Sequence, residues 1–269
     1  MRTSRASVFT RSLILILLVG FVTPHHVWAQ EPQTISPDTQ QKIASMVKVT
    51  SDWMNGKLST PGISVVTREV ARSNDGGHLM VQYHAFVTGA PKDQTYGLVS
   101  WPINSADPVE LIKGLSLGAD GIVICAGRAP GQCGDPNKKD DPVELTFYPA
   151  RGEVNRVALV SEDKKTKIFF AVVPDPIINT SGNCSIEAIR MLPNFEMALV
   201  RAKGFQPNEE LAYASKSEDE SIEKKVKADD SGGYQTVILP SVINRQNGTA
   251  NEKLTGAGCA PEISFKWGK

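Results

Sequence analysis

The way in which short apolar runs are interrupted constrains the fold of this chain more than any other feature. In residues 198–211 one apolar run ends, the chain turns at Gly204 and Pro207, and a second apolar run begins at Leu211. Short apolar runs separated by Gly, Pro, Asn and Asp are typical of antiparallel strands joined by tight turns. Folds with crossover helices need longer periodic segments between their strands. The pattern predicts an all-β protein made of two antiparallel β-sandwich domains and a short N-terminal helix.

Residues 1–29 have the pattern of an export signal. Three arginines precede an apolar run over residues 13–22, and Ala29 ends a short cleavage-site sequence. The apolar run is about half the ~20 residues that a transmembrane helix needs. We therefore expect a chain that starts near Gln30, carries no membrane span after cleavage, and works in the periplasm or outside the cell.

The charge balance argues against nucleic acid as a partner. The whole chain has 29 Lys+Arg and 29 Asp+Glu, and loss of the signal removes three arginines and no acid, which leaves a net charge of −3. Phosphate binding needs a dense surface of Lys and Arg. The remaining ~240 residues suffice for one large or two small domains.

Residues 30–61 are predicted to hold a tail and one amphipathic helix. Ser36 and Pro37 form an N-cap and first-turn signal, and apolar residues recur at helical spacing as far as Gly56. Two interpretations are open. The helix packs on the first domain, or it is a loosely tied segment that binds a partner.

Two groups of short strands follow, over residues 62–176 and 184–269, and we expect a linker between them. Along Leu79 to Val87 alternate residues are apolar, which predicts one face toward a core. The run Ile168 to Val173 is apolar on both faces, so we expect a central strand. The strands predicted in the first group are Ile63–Val70, Leu79–Val87, Tyr96–Trp101, Gly121–Cys125, Val143–Tyr148, Arg156–Ser161 and Ile168–Val173.

The four cysteines Cys125, Cys133, Cys184 and Cys259 predict disulfides in an exported chain. Four cysteines allow three pairings, and proximity along the chain favours Cys125–Cys133 and Cys184–Cys259. Zinc binding is the competing interpretation, but it needs close Cys pairs with a second pair or His nearby. No metal or other cofactor is expected.

The first predicted disulfide would close a short loop that displays Arg128. A loop that is fixed in advance loses less entropy on binding. One hypothesis is that Arg128 belongs to a recognition loop, such as one offered to a trypsin-like protease by an inhibitor. The other is that the disulfide only rigidifies a connection between strands.

The second half resembles the Ig-like modules of many exported bacterial proteins. The resemblance is carried by the turn Gly204-Phe-Gln-Pro-Asn-Glu209, the hairpin Lys227-Ala-Asp-Asp-Ser-Gly-Gly-Tyr234 and the strand end Val237-Ile-Leu-Pro240. It covers residues 184–269 and implies the fold only. The chain departs from true immunoglobulin domains, because no Cys precedes Trp101 in a Cys…Trp…Cys framework.

Several catalytic and metal-binding patterns are incomplete. Gly114-x-Ser116-x-Gly118 matches a nucleophile elbow, but no His follows His84, so a triad in that order cannot form and a turn serine is predicted. His78 and His84 lie about 20 Å apart along an extended strand, too far to share a metal. The acidic segment Asp135 to Asp141 lacks the spacing of a calcium loop.

These observations favour a non-catalytic binding or structural module, whose partner is an envelope protein or a glycan. The alternative is a hydrolase acting on polysaccharide with two carboxyl groups about 5–9.5 Å apart, which needs no His. Tyr96 and Trp101 would form a sugar-stacking platform if exposed, whereas aromatic residues on strands usually belong to the core.

Overall fold

The computed structural model describes residues 36–103, 105, 107–125, 133 and 140–268. These residues form one α-helix, α1 (Pro37–Met54), one 3₁₀ turn (Pro193–Phe195) and sixteen strands in four antiparallel sheets. The predicted all-β sandwich fold with a single short helix is confirmed. The predicted signal segment 1–29 and Arg128 lie outside the described residues.

The first eight strands form a three-stranded sheet of order β1-β2-β6 and a five-stranded sheet of order β5-β4-β3-β7-β8. The inward side chains of both sheets share one core cluster, which includes Val81, Leu115 and Leu159. These strands are β1 (Ser64–Asp75), β2 (His78–Thr88), β3 (Tyr96–Trp101), β4 (Val109–Leu117), β5 (Val123–Cys125), β6 (Leu145–Phe147), β7 (Asn155–Ser161) and β8 (Lys167–Val172).

The other eight strands form two four-stranded sheets, of order β14-β11-β10-β9 and β13-β12-β15-β16. A second core cluster lies between them and includes Ile186, Leu211 and Phe265. These strands are β9 (Ile177–Ser181), β10 (Cys184–Arg190), β11 (Ala198–Lys203), β12 (Glu210–Ser217), β13 (Glu220–Lys227), β14 (Tyr234–Ile238), β15 (Asn247–Thr255) and β16 (Glu262–Gly268).

Helix α1 begins as the sequence predicts. The Ser36 hydroxyl accepts a hydrogen bond from the Thr39 backbone N–H at 3.3 Å, and Pro37 occupies the first turn. Such a cap satisfies one of the free N–H groups at a helix start. At the other end Trp53 is 3% exposed, and its indole N–H donates to the carbonyls of Val157 and Phe170 at 2.9 and 2.8 Å.

Strand β8 is an edge strand and not the central strand that its composition predicts. Both of its faces are nevertheless covered: Ile168 and Phe170 point into the first core, while the ring of Phe169 meets Trp53 edge-on at 4.7 Å between centroids. Its free edge is occupied by the segment after the helix, where the Ser59 hydroxyl accepts from the Phe169 N–H at 2.8 Å. Coverage by a helix accounts for the apolar pattern that indicated a central position.

A third cluster joins the two groups of strands. It contains Val47 of α1 together with Val154, Ile189 and Leu199, and Ala171 packs against it. Helix α1 therefore packs on strands from both groups, which goes further than the predicted packing on the first domain alone. The division into two domains at residues 174–183 stays a prediction.

Both disulfides favoured by sequence proximity are present. Cys125 and Cys133 are joined with a Cα–Cα distance of 5.3 Å, and both belong to the first core. Cys184 and Cys259 are joined at 6.1 Å and connect residues 75 positions apart. Two disulfides indicate an oxidising compartment.

Candidate functional site

The most site-like feature of the described residues is a cleft between β13 and β14. Each of these strands is at the edge of its own sheet, and they are not hydrogen-bonded to each other. The interior of the second sandwich is therefore open between them. The cleft has a volume of about 310 Å³ and is lined by residues of β12, β13, β14 and β15.

The alternation of side chains along β12 makes this interior polar at one end. Leu211, Tyr213, Ser215 and Ser217 share one face of the strand, and Leu211 and Tyr213 are buried. Tyr213, Ser215 and Ser217 line the cleft. The core thus changes from aliphatic to hydroxyl-bearing side chains as the strand approaches the opening.

Glu252 is the one carboxylate in the wall of the cleft that is fully buried. It lies on β15 between Ala250 and Leu254 on the same face, and its side chain is 1% exposed. The Tyr213 hydroxyl donates to Oε2 at 2.5 Å, and the Ser215 hydroxyl lies 2.9 Å from Oε1. No Lys, Arg or His among the described residues forms an ion pair with it within 4.0 Å.

Burial controls the ionisation of Glu252 and Tyr213. Loss of solvation raises the pKa of Glu252 from 4.5 to about 7, and the hydrogen bonds from Tyr213 and Ser215 oppose the rise without cancelling it. The pKa of Tyr213 is also raised, first by burial and then by the neighbouring carboxylate. Near neutral pH the Glu252 carboxyl is therefore present in both its protonated and its ionised form.

The Tyr213 ring has two further contacts. Its centroid lies 5.8 Å from that of Tyr234, and the Lys224 Nζ lies 5.2 Å from it. Lys224 lies on β13, directly opposite Tyr213 on β12. An ammonium group at this distance is attracted by the electron-rich face of the ring.

The end and the lips of the cleft combine polar anchoring with exposed apolar groups. The Ser217 hydroxyl donates to the Pro240 carbonyl at 2.5 Å and accepts from the Trp267 indole N–H at 2.9 Å, which ties β12 to the segment after β14. Ile222 on one lip is 62% exposed, and Leu239 on the other is 48% exposed.

The candidate residues that the sequence predicts and the structure describes do not line this cleft. Ser116 lies on β4 and not in a turn, because residues 109–117 form a strand that the Gly-rich pattern concealed. Tyr96 is fully buried and its hydroxyl donates to the Pro91 carbonyl at 2.6 Å, so it cannot be part of an exposed sugar platform. Trp101 is partly buried and packs 5.7 Å from Trp53, with the Arg156 guanidinium 4.6 Å from its ring.

The remaining candidates do not form a site among the described residues. His78 is exposed and His84 is half-buried on the outward face of β2. Within the described ranges no three His, Cys, Asp or Glu side chains lie close enough together to hold a metal ion. Arg128 and the segment Asp135 to Lys139 lie outside the described residues, so the recognition loop stays a prediction. In the described part of the chain no helix is both long and apolar enough to cross a membrane.

Sequence reasoning missed Glu252, although a signal was present. Strand β15 carries Glu252 on the same parity as the apolar residues Ala250 and Leu254. An acid on the inward parity of a strand is unusual, since ionisable groups are rarely fully buried. That parity would have identified Glu252 before the structure was known.

No protein-family model matches the sequence, and no curated protein is significantly similar to it.

Proposed function

We propose that this protein is an exported, non-catalytic binding protein, with its ligand site in the cleft between β13 and β14. The observation that carries this proposal is the buried carboxyl group of Glu252 in the wall of an open cleft. A buried carboxyl costs stability relative to a well-packed aliphatic side chain. The neighbours Ala250 and Leu254 are fully buried and pack without such a cost, so the role of Glu252 lies in what the cleft binds.

Two separate features support the proposed location of the protein. The disulfides indicate an oxidising compartment, and the predicted signal over residues 1–29 supports export to the periplasm or the extracellular space. A cleft of about 310 Å³ is at the small end of the range of ligand pockets. It fits a small molecule or one projecting group of an envelope glycan or protein.

The test is a binding screen with a variant that fills the cleft. A library of sugars, amino acids, amines and fatty acids is screened by saturation-transfer NMR against the wild type, Thr236→Trp and Gln235→Trp. Thr236 lines the cleft, whereas Gln235 is exposed on the opposite face of β14. We expect hits that Thr236→Trp abolishes and Gln235→Trp retains. Hits that survive Thr236→Trp would contradict the proposal, as would a screen without hits.

A second candidate function is hydrolysis of a polysaccharide, which one observation favours. Glu220 and Glu252 line the same cleft. The two are separated by two strand spacings of ~4.8 Å and two residues of ~3.3 Å, which gives about 12 Å between Cα atoms. Glu252 with a raised pKa would act as general acid, and the exposed Glu220 would act as base.

Activity measurements separate the two candidates. Chromogenic glycosides and soluble polysaccharides are incubated with the wild type, Glu252→Gln and Glu220→Gln. Turnover that either substitution reduces by about 10²-fold or more would establish the hydrolase, because general acid–base catalysis contributes on that scale. For a binding protein we expect no turnover above that of either variant.

A further inference from the structure

The carboxyl group of Glu252 has hydrogen-bond partners but no counter-charge. Tyr213 and Ser215 are neutral hydroxyls, each placed on a different carboxyl oxygen. A carboxylate oxygen can accept two hydrogen bonds, so each oxygen keeps accepting capacity for a further donor. A buried carboxylate is stabilised most strongly by a nearby positive charge. Among the described residues no cationic side chain lies within 4.0 Å of this carboxyl group, which leaves the role of a direct ion-pair partner to a ligand.

The ring of Tyr213 shows that this part of the cleft accepts an ammonium group. The Lys224 Nζ already lies 5.2 Å from the ring centroid. Lys224 is on an exposed edge strand, and no carboxylate among the described residues lies within 4.0 Å of its ammonium. Because nothing else pairs with this ammonium, a ligand can displace it at small cost.

The other charged residue that we consider in the cleft wall, Glu220, disfavours anionic ligands. Glu220 lies on the same face of β13 as Lys224 and adds a second acidic group to the cleft. While Glu252 is ionised, an anion would meet two carboxylates, and a neutral ligand would leave the charge of Glu252 uncompensated. Ile222 and Leu239 on the lips provide exposed apolar surface for a short hydrocarbon body.

We propose that the cleft binds an organic cation, namely a protonated amine with a short apolar body. Its ammonium group binds the Glu252 carboxylate beside the Tyr213 ring and displaces Lys224 from that ring. The apolar body lies against Ile222 and Leu239. This inference rests on the proposed binding function and specifies the chemical class of the ligand.

The test compares three ligands of equal size that differ in charge: hexylamine, hexan-1-ol and hexanoate. Dissociation constants are measured by NMR titration at pH 8, where Glu252 is mostly ionised and the amine is protonated. We expect hexylamine to bind about tenfold tighter than hexan-1-ol, since a charge-assisted hydrogen bond is roughly twice as strong as a neutral one. Hexanoate should not bind.

Two variants and two matched controls identify the groups responsible. Glu252→Gln keeps the shape and should lower the affinity for hexylamine to that for hexan-1-ol. Lys224→Met should raise the affinity for hexylamine, because it frees the ring and removes a like charge. Lys225→Met is the control for Lys224, since Lys225 is on the opposite face of β13 and pairs with Glu210 at 2.7 Å. Glu262→Gln, exposed on β16, is the control for Glu252.

Distinct outcomes separate this inference from the proposed function. Equal affinities for hexylamine and hexan-1-ol, both abolished by Thr236→Trp, would overturn the cation inference and leave the binding cleft in place. Undetectable binding of hexylamine would overturn it as well. If Glu252→Gln fails to fold, an unchanged affinity in Lys224→Met is enough to overturn it. The library screen tests the binding function itself.

Discussion

At the scale of single residues, Glu252 shows how one ionisable side chain can set the pH dependence of a sandwich core. Its pKa is raised from 4.5 to about 7 by burial. The titratable or charged groups that face it are Tyr213 on β12, Glu220 and Lys224 on β13, and Tyr234 on β14. Tyr213 and Tyr234 have pKa values raised above 10, so they stay neutral at and below neutral pH.

We predict that Glu252 makes the folded protein less stable as the pH rises. Between pH 4.5 and about 7 the folded state keeps a proton that the unfolded state releases. The free energy of unfolding therefore falls across this window, by up to about 3 kcal/mol. Glu252→Gln should lack this loss. The free energies of unfolding of the variant and the wild type, measured by urea unfolding at pH 5, 6, 7 and 8, should therefore diverge as the pH increases. Parallel curves would contradict the prediction.

A second residue-scale prediction concerns Gly204, which turns the chain after β11. Its φ is +92°, and a Cβ at this position would lie 2.1 Å from the Asn183 carbonyl oxygen. We expect Gly204→Ala to lower the free energy of unfolding by at least about 1–3 kcal/mol, from backbone strain and the contact together. Gly258→Ala is the control, since no atom lies within 4 Å of its Cβ position. Chemical denaturation of the two variants side by side measures the difference.

At the scale of elements, the attachment of α1 depends on Trp53. The side chain is 3% exposed, contacts Phe169 and Trp101, and donates to two carbonyls of β7 and β8. We predict that Trp53→Ala lowers the free energy of unfolding by about 3–5 kcal/mol, the usual cost of removing a buried tryptophan. Limited proteolysis should then cut within α1 first. Lys48→Ala on the exposed face of the same helix should leave both measurements unchanged.

The elements differ in how well the sequence predicts them. Strand β2 and helix α1 are confirmed because each has one apolar face with a clear period. Strand β4 was missed because its first half carries Glu110 and Lys113 and its second half contains Gly114. Strand β9 was interpreted as part of a linker because only Ile177 is buried, Ile178 is exposed, and the last three residues are polar. Edge strands of this kind have no alternation for a period-based prediction to detect.

The candidate site was harder to predict than the fold. The cleft exists because β13 and β14 are both edges and leave the sandwich open between them. The relation between strands from different hairpins depends on long-range pairing, which no local pattern encodes. The inward parity of Glu252 was visible in the sequence, but its hydroxyl partners Tyr213 and Ser215 are 39 and 37 residues away.

At the scale of the whole molecule, the two disulfides should contribute unequally to stability. Cys125–Cys133 closes a separation of 8 residues and Cys184–Cys259 one of 75. The loss of chain entropy in the unfolded state corresponds to about 2.5 and about 4.5 kcal/mol, respectively. We predict that replacing Cys184 and Cys259 together by Ser lowers the free energy of unfolding more than replacing Cys125 and Cys133. Equal or reversed losses in guanidinium unfolding would contradict this account.

The indole contacts of Trp53 also determine when the protein can complete its fold. Its two carbonyl partners are 104 and 117 residues further along the chain. A helix that is synthesised first must therefore keep its apolar face exposed until β8 has emerged, because that strand forms much of its binding surface. Until α1 and the segment after it dock on β8, the free edge of this strand is open to pairing with another chain. Assembly thus depends on late, long-range contacts, and a factor that binds the apolar face of α1 must release the helix before the edge of β8 can be covered.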